Sequence, residues 1–418
     1  MREAGAPADV PAALAFLRTP AAVRERCGRL FALGLAGGLP SFEVRPAELD
    51  RVAEYVARVT RERFPALAAR AHGRFGHFDA GGVGRAAELD ARLAGLPPDE
   101  RARTKLDLVV PSVLLDAGAG PAWAYRERES GASFARSEGL AVATYRMFLA
   151  GAFSSDPARA PLRADGAALA AFDDGALARG LQVDASNPLV GLGGRLASLR
   201  GLGRALAARP DLFGERPRIG GLFDALRARA EAGRVRAGAL LALVLEGLAG
   251  AWPAGAALGG QGLGDVWPHP ALGPPGPRGE HLVPFHKLAQ WLVYSLVEPL
   301  REGGLEVTGL HELTALAEYR NGGLLVDLGA LVPRDPDEAF GRAHAPGSPL
   351  VVEWRALTVA LLDRLAPLVR ARLGATGASS PLAGVLEGGT WAAGRRAAEE
   401  RRQGGHPPIR IESDGAVF

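Results

Sequence analysis

A mainly helical fold, all-α or α+β with a few short strands, is predicted by three observations. Apolar residues recur every three or four positions over most of the chain, strand-like runs are few, and Gly and Pro mark the loops sharply. Residues 20–36 and 47–70 open the helical series, with charged residues set between the apolar ones. LDLVVPSVLLD then reads as a buried apolar element ending at Asp116, followed by the Gly-rich turn AGAGP. Helical spacing continues at 136–150, 164–179, 189–208, 220–232, 236–249, 284–302, 310–319, 350–373 and 381–402. The strand-like runs are GLLVDLGAL at 323–331 and PIRIESDGAVF at the C-terminal end. FDAGGVGR (78–85), FSSDPARAP (153–161), VDASNPLVGLGGR (183–195) and HPALGPPGPRGEH (269–281) read as loops. No repeat period marks a solenoid. The expected organisation is an N-terminal helical half, 1–160, and a C-terminal half, 161–418, that carries the chemistry, unless the two form one continuous domain.

Hydrophobic residues make up 48% of the 418 and charged residues 23%, the balance of a protein with a substantial core. The net charge of +3 supplies no field for nucleic acid or a membrane surface, and neither partner is expected. Cys27 is the single cysteine, so no internal disulfide or multi-thiolate metal site forms; it sits at helical spacing and reads as a packing residue. With no apolar leader and no apolar run long enough to span a bilayer, a cytoplasmic location is expected. Lys105 and Lys287 are the only lysines; every other basic residue is arginine. A GC-rich coding bias accounts for that, but a lysine retained under such a bias merits inspection, because lysine can shift its pKa and arginine cannot. The absence of GxSxG, Walker, HExxH and paired CxxC patterns argues against serine hydrolases, NTPases and zincins.

The richest stretch is PFHKLAQWLVYSLVEPL, a helix with Pro284 near its start. Helical spacing puts Lys287, Gln290, Trp291 and Tyr294 on one face, with His286 beside them. That face is half aromatic and half polar, as a binding site would be; the alternative is a lysine snorkelling at the edge of a core stripe. In LTALAEYRNGGLLVDLGAL, Glu318, Tyr319 and Arg320 are expected to end a helix, and Asn321 and Gly322 to turn the chain. A carboxylate there can be aimed into a cleft, or can pair with a nearby arginine. Asp265, Trp267 and His269 lie near the Gly-Pro loop with His281, but their spacing matches no metal pattern, so neither metal nor cofactor is expected. His72, His77 and Phe78 precede a Gly-rich turn that lacks the strand–GxGxxG–helix context of a dinucleotide site. Asp116 with Trp123 and Tyr125 is either an aromatic wall with one carboxylate or a capped helix end. Glu353 and Glu387 stand beside tryptophans and read as structural ion-pair residues.

The segments SVLLDAGAGPAWAY, RSEGLAVATYRMFLAGAFSSDP, SNPLVGLGGR, GDVWPHPAL, PFHKLAQWLVYSLVEPL, AEYRNGGLLVD, SPLVVEWRALTVALLDRL and LEGGTWAAGRR resemble the Urc/Urg uracil-catabolism family, from about residue 18 to Phe418. The family's tryptophan in a His-rich run is Phe75 here, and Gly84 stands where an aspartate usually precedes Arg85; His77 and Phe78 keep the pattern. The resemblance implies a place in a pathway that converts uracil to its nucleotide and opens the ring. A functional link to a uracil phosphoribosyltransferase and a cyclohydrolase-like enzyme follows, with a ribosylurea left to be split. A shorter stretch, FHKLAQWLVYSLVEPL to AEYRNGGLLVDLGAL, is similar to the FYKRAQ…ADYRVPQ region of queuosine-nucleotide salvage N-glycosidases. Those are helical enzymes related to helix-hairpin-helix DNA glycosylases. Residue by residue, their lysine falls on Lys287, their carboxylate on Glu318 with Glu for Asp, and their Tyr-Arg pair on Tyr319 and Arg320; NGG replaces VPQ. The resemblance thus implies a hydrolase that cuts an N-ribosidic bond with Glu318 and Lys287. Gln290, Asn321 and Asp116 would bond the ureido group. His77, Phe78, Trp123, Trp267, His269, His286, Trp291, Tyr319 and Arg320 would line the substrate, with Arg320 or the turn before Arg195 receiving a phosphate. The rival expectations are an amidohydrolase acting on the ureido group and a non-catalytic partner of the ring-opening enzyme.

Overall fold

The computed structural model describes residues 9–64, 73–252, 255–375, 385 and 389–412. His72, Glu387, residues 65–70 of the expected 47–70 helix, most of 381–388 and the last residues of the C-terminal run lie outside them. The described chain gathers into two compact units, neither continuous in sequence. One contains residues 9–64, 255–290 and 310–412, and the other 73–252 and 291–309. Residue 160 falls inside the second.

The first unit is built around the helix Pro349–Leu373. Proline enters at its first turn, where the missing N–H is harmless. Gly374 stops it in the left-handed region (φ 65°), with Arg370 and Arg372 set against the C-terminal end of the dipole. Every residue from Val351 to Leu362 is buried, because neighbours enclose the helix. These are Pro20–Leu35, capped by the Thr19 hydroxyl on the Ala22 N–H (3.1 Å), then Leu49–Arg63 and Tyr319–Asp327. Trp391–Arg401 packs against Tyr319–Asp327. Three short strand pairs tie the ends of these helices: Phe42–Val44 with Leu331–Pro333, Val266–Pro268 with Leu282–Pro284, and Ala343–His344 with Arg410–Ile411.

The second unit centres on Pro98–Leu114, whose Asp99 and Glu100 favour the N-terminal end of the dipole and whose later turns are wholly buried. It packs against Arg136–Leu149, Leu192–Ala208 and Gly221–Arg229. Leu192–Ala208 approaches its neighbours through glycine: a Cβ on Gly201 would stand 1.9 Å from the Gly250 carbonyl oxygen, and one on Gly203 2.2 Å from the Ala170 nitrogen.

The helical prediction holds, with four corrections. The run 323–331 is not a strand: its first half belongs to the helix Tyr319–Asp327, and only Leu331–Pro333 is extended. The glycines that imitate a turn are there for close packing, since a Cβ on Gly322 would lie 2.7 Å from the Trp354 indole and one on Gly323 2.9 Å from Pro408. The expected 310–319 helix is a single 3₁₀ turn, Leu310–Glu312, followed by irregular chain. The 284–302 helix begins at Lys287, because Pro284 is the end of a strand paired to Val266. The 164–179 helix is two, Gly166–Ala170 and Asp174–Gly180, each started by its own aspartate cap: Asp165 on the Ala168 N–H and Asp173 on the Ala176 N–H. Among the described residues, no helix is long and apolar enough to cross a membrane.

Candidate active site

Two stretches of the first unit are almost wholly buried, and each has one polar opening. From Leu282 through Gln290 every residue is buried except Lys287. From Leu313 through Leu325 every residue is buried except Glu318 and Tyr319. Lys287 is the first residue of Lys287–Glu302, and Glu318 is the N-cap of Tyr319–Asp327, not the end of a helix as its surroundings in the sequence suggest.

The cap explains how Glu318 is held. Its backbone is extended (φ −115°, ψ 158°), and its carboxylate accepts the N–H of Arg320 at Oε2 (2.8 Å) and of Asn321 at Oε1 (2.6 Å). The protein packed around the carboxyl group raises its pKa. The two amides and the charges of Lys287 and Arg320 pull the other way without cancelling that effect. A half-buried glutamate thus has a proton affinity above the ordinary range while part of its surface stays open.

The irregular chain before Glu318 is buried without ladder partners, so side chains must satisfy most of its polar groups. Arg24 donates to the carbonyls of His311 (3.2 Å), Glu312 and Leu313 (2.7 Å). The Gln290 amide brackets Thr314, accepting its N–H (2.8 Å) and donating to its hydroxyl (2.8 Å), and also donates to the Phe285 carbonyl (3.0 Å). Asn321 donates to the Leu316 carbonyl (3.2 Å) and Arg355 to that of Ala317 (3.1 Å). Gln290 and the Asn321 amide nitrogen are therefore committed to scaffolding rather than turned to a ligand.

Asp265 organises the other opening. Its carboxylate accepts both terminal nitrogens of Arg355 (2.7 and 2.7 Å), the Trp267 indole N–H (2.9 Å) and the backbone N–H of Lys287 (3.1 Å). Its carbonyl accepts the N–H of Phe285 (3.0 Å) and of His286 (3.4 Å). Burial would raise this carboxyl, but the Arg355 charge and these bonds outweigh it and hold Asp265 well below the usual carboxylate range. Between them His286 adopts φ 48°, a left-handed backbone uncommon outside glycine. The Arg355 guanidinium also lies 4.0 Å from the Phe285 ring centre.

The remaining predicted residues of this unit serve structure. His286 is buried with Nε2 bonded to the Leu17 carbonyl (2.8 Å), and burial lowers its pKa. His269 accepts the Ala271 N–H at Nδ1 (3.3 Å) and has Nε2 3.7 Å from Glu353, whose carboxylate also holds the N–H groups of Ser41 and Phe42. Arg320 is buried, donating to the Gly405 carbonyl (2.7 Å) beneath the Tyr319 ring. Burial pushes the Cys27 thiol far up, which suits a packing residue. Among the described residues no group of three or more His, Cys, Asp or Glu is placed to hold a metal ion.

In the second unit, His77, Asp116 and Trp291 are brought together around an arginine that the sequence reading passed over. Arg74 is fully buried: it donates to Asp116 (2.6 Å) and Ser112 (2.7 Å), and its guanidinium lies 5.5 Å from the Trp291 ring, itself 5.7 Å from His77. Its Nη2 is enclosed with no hydrogen-bond partner among the described residues, next to aromatic faces. This is a buried cation held by one carboxylate and by rings. Phe78 is core, packed edge-on to Phe75. Trp123 is core too, its indole N–H on the Leu181 carbonyl (2.9 Å). Arg195 points at the carbonyls of Leu115, Ala117, Gly118 and Val190 rather than at a phosphate. Lys105 is buried between Asp90 (2.7 Å) and Glu302.

Fold and site together define a mainly helical protein in which a capping glutamate and a helix-opening lysine break otherwise buried chain. The chain belongs to the family described as "Protein of unknown function (DUF1688)", whose model matches residues 16–418. It is 37% identical over 406 residues to Protein urg3 of Schizosaccharomyces pombe, covering 95% of this chain and 96% of that one. It is 35% identical over 407 residues to Uracil catabolism protein 4 of Lachancea kluyveri, covering 90% and 92%.

Proposed function

We propose that this protein acts in uracil catabolism by hydrolysing the N-ribosidic bond of a ring-opened uracil nucleotide, ribosylurea or its phosphate, to urea and ribose or ribose phosphate. The observation that carries the reading is the pairing of Glu318 with Lys287. A carboxylate with raised proton affinity and a cation acting on it are the only polar openings in their two buried stretches, Tyr319 apart. The name of the Lachancea kluyveri relative supports the pathway. The likeness of these two segments to queuosine-nucleotide salvage N-glycosidases supports the reaction class.

Cleavage at an anomeric carbon passes through an electron-poor sugar, which a nearby carboxylate stabilises. Water oxygen bonds to C1′ as the C1′–N bond breaks with its electron pair on the ureido nitrogen. Glu318 takes the proton from water, and its raised pKa makes it a stronger base than an ordinary glutamate. Lys287 supplies the proton that the departing nitrogen needs. The balance is one water added, with no redox change.

The test is incubation of purified protein with ribosylurea and with its 5′-phosphate, reading urea, ammonia and free sugar separately. Equal release of urea and sugar is expected, and it names the substrate. Ammonia in place of urea would assign the protein to amidohydrolases. No release from either compound, with the ring-opening enzyme also supplied, would make it a binding partner.

A further inference from the structure

Arg355 stands in a singular place within the first unit. One edge of its guanidinium grips both oxygens of Asp265 (2.7 and 2.7 Å), and Asp265 in turn caps the Lys287 N–H (3.1 Å). Its Nε–H holds the carbonyl of Ala317 (3.1 Å), the residue directly before Glu318. One planar, fully charged group therefore touches both of the segments that present the lysine and the glutamate. It is itself fixed on the enclosed helix Pro349–Leu373, 2% exposed and stacked on Phe285. Asp265 completes the hold by taking three successive amides, those of Phe285, His286 and Lys287, and so keeps His286 in its left-handed backbone. A capping N–H alone needs no buried bidentate arginine, and an arginine serving the core alone has no reason to end on these two segments.

We propose that Arg355 and Asp265 are a positioning pair that sets how far the Lys287 ammonium stands from the Glu318 carboxylate. The proposal rests on the reading of Glu318 and Lys287 as the reacting groups. The pair touches neither water nor sugar; it acts through the backbone at positions 285–287 and 317. The leading charges that lower the Glu318 pKa are Lys287 and Arg320, and Arg320 is fixed separately on the Gly405 carbonyl. Loosening the Arg355–Asp265 pair thus weakens the Lys287 influence and leaves that of Arg320 in place.

The experiment titrates the Glu318 carboxyl directly, by infrared or carbon NMR difference against Glu318→Gln, in Arg355→Lys and Asp265→Asn. Lys287→Met sets the full size of the lost lysine effect. Both positioning variants should move the Glu318 midpoint upward, toward the Lys287→Met value. Charge bookkeeping without geometry gives other answers: no change for Arg355→Lys, which keeps its charge, and a fall for Asp265→Asn, which removes a negative one. An unchanged or lowered midpoint in either variant, with near-native circular dichroism, overturns the proposal. The acid limb of kcat should move by the same amount, with turnover lower by up to about a hundredfold and KM little altered. Because the titration needs no substrate, the two readings fail separately. A shifted midpoint in a protein that releases no urea leaves the positioning pair standing and removes the N-ribosidase. Urea release with a fixed midpoint does the reverse.

Discussion

Glu127 is an enclosed carboxylate of one unit and Glu318 a half-buried one of the other, and they are satisfied in opposite ways. Glu127 is gripped by Arg85 (2.8 Å) and Arg146 (2.7 Å) and takes the Ser130 hydroxyl; the Arg85 bond foremost, against the cost of burial, holds its pKa down at about 2. Glu318 is held by two backbone N–H groups, and its pKa is raised. Guanidinium groups neutralise a carboxylate and fix it as a structural anion. Backbone dipoles orient it and leave its basicity in use. The two lysines differ in exposure. Lys105 is enclosed by two carboxylates, whereas Lys287 sits at a helix start and retains exposure.

Substitutions at the two glutamates should divide along this line. Glu318→Gln should lower urea release by about 10²- to 10⁴-fold with little loss of thermal stability, since the amide oxygen still caps one N–H and a desolvated charge is gone. Turnover within a few-fold of wild type in a folded Glu318→Gln would remove the contrast altogether. Glu127→Gln should do the opposite. It leaves the buried Arg85 without a carboxylate, while Arg146 keeps Glu88 and Glu129, and denaturant unfolding should show a loss of about 3–5 kcal/mol with kcat per folded molecule preserved. Glu318→Asp sharpens the comparison further. Aspartate is a strong N-cap and keeps the charge, so the helix start should survive. The carboxylate retreats by one methylene, however, and turnover should fall by up to about a hundredfold. An Asp variant as inactive as the Gln variant would show that reach, and not charge, limits the reaction.

How much of this was legible in the sequence differs between the same two kinds of feature. Amphipathic helices such as Leu49–Arg63 and Arg136–Leu149 are visible because their apolar spacing is local. Of the proposed pair, Lys287 is singled out in the sequence by its rarity, and Glu318 only by the resemblance of its segment to the N-glycosidase pattern. The local structure around Glu318 was not visible. Asn-Gly-Gly has the look of a turn, yet those glycines exist because Trp354 and Pro408 press on the helix from elsewhere in the chain. Residues 313–317 have helical spacing but are held outside a helix by Arg24, Gln290 and Arg355, whose grip no local pattern encodes. Arg355 itself did leave a signal. With Glu353 it interrupts the apolar run from Leu350 to Leu362, and a buried charge in such a run must have a built partner.

The smallest expected effect is on the pH dependence of stability, and its sign differs for the two glutamates. Glu127 has a lowered folded pKa, so its contribution is fully present above the ordinary glutamate range and is lost as pH falls toward about 2. Glu318 has a raised folded pKa, so the native state takes its proton before the unfolded chain does. Its ionisation weighs against the fold. That penalty is relieved as pH falls through the folded pKa toward the ordinary value, with a slope of at most about 1.4 kcal/mol per pH unit. Asp107 also titrates in this region, since burial pushes it up to about 6 despite its pairing with Arg218. The quantity to measure is therefore the stability of wild type minus that of Glu318→Gln at matched pH, in which Asp107 cancels. The difference should grow in favour of wild type as pH falls through the folded Glu318 pKa toward the ordinary glutamate value, then level off below it. A flat difference across that window would mean that Glu318 ionises as an ordinary solvated glutamate does, and its likeness to a poised base would end there.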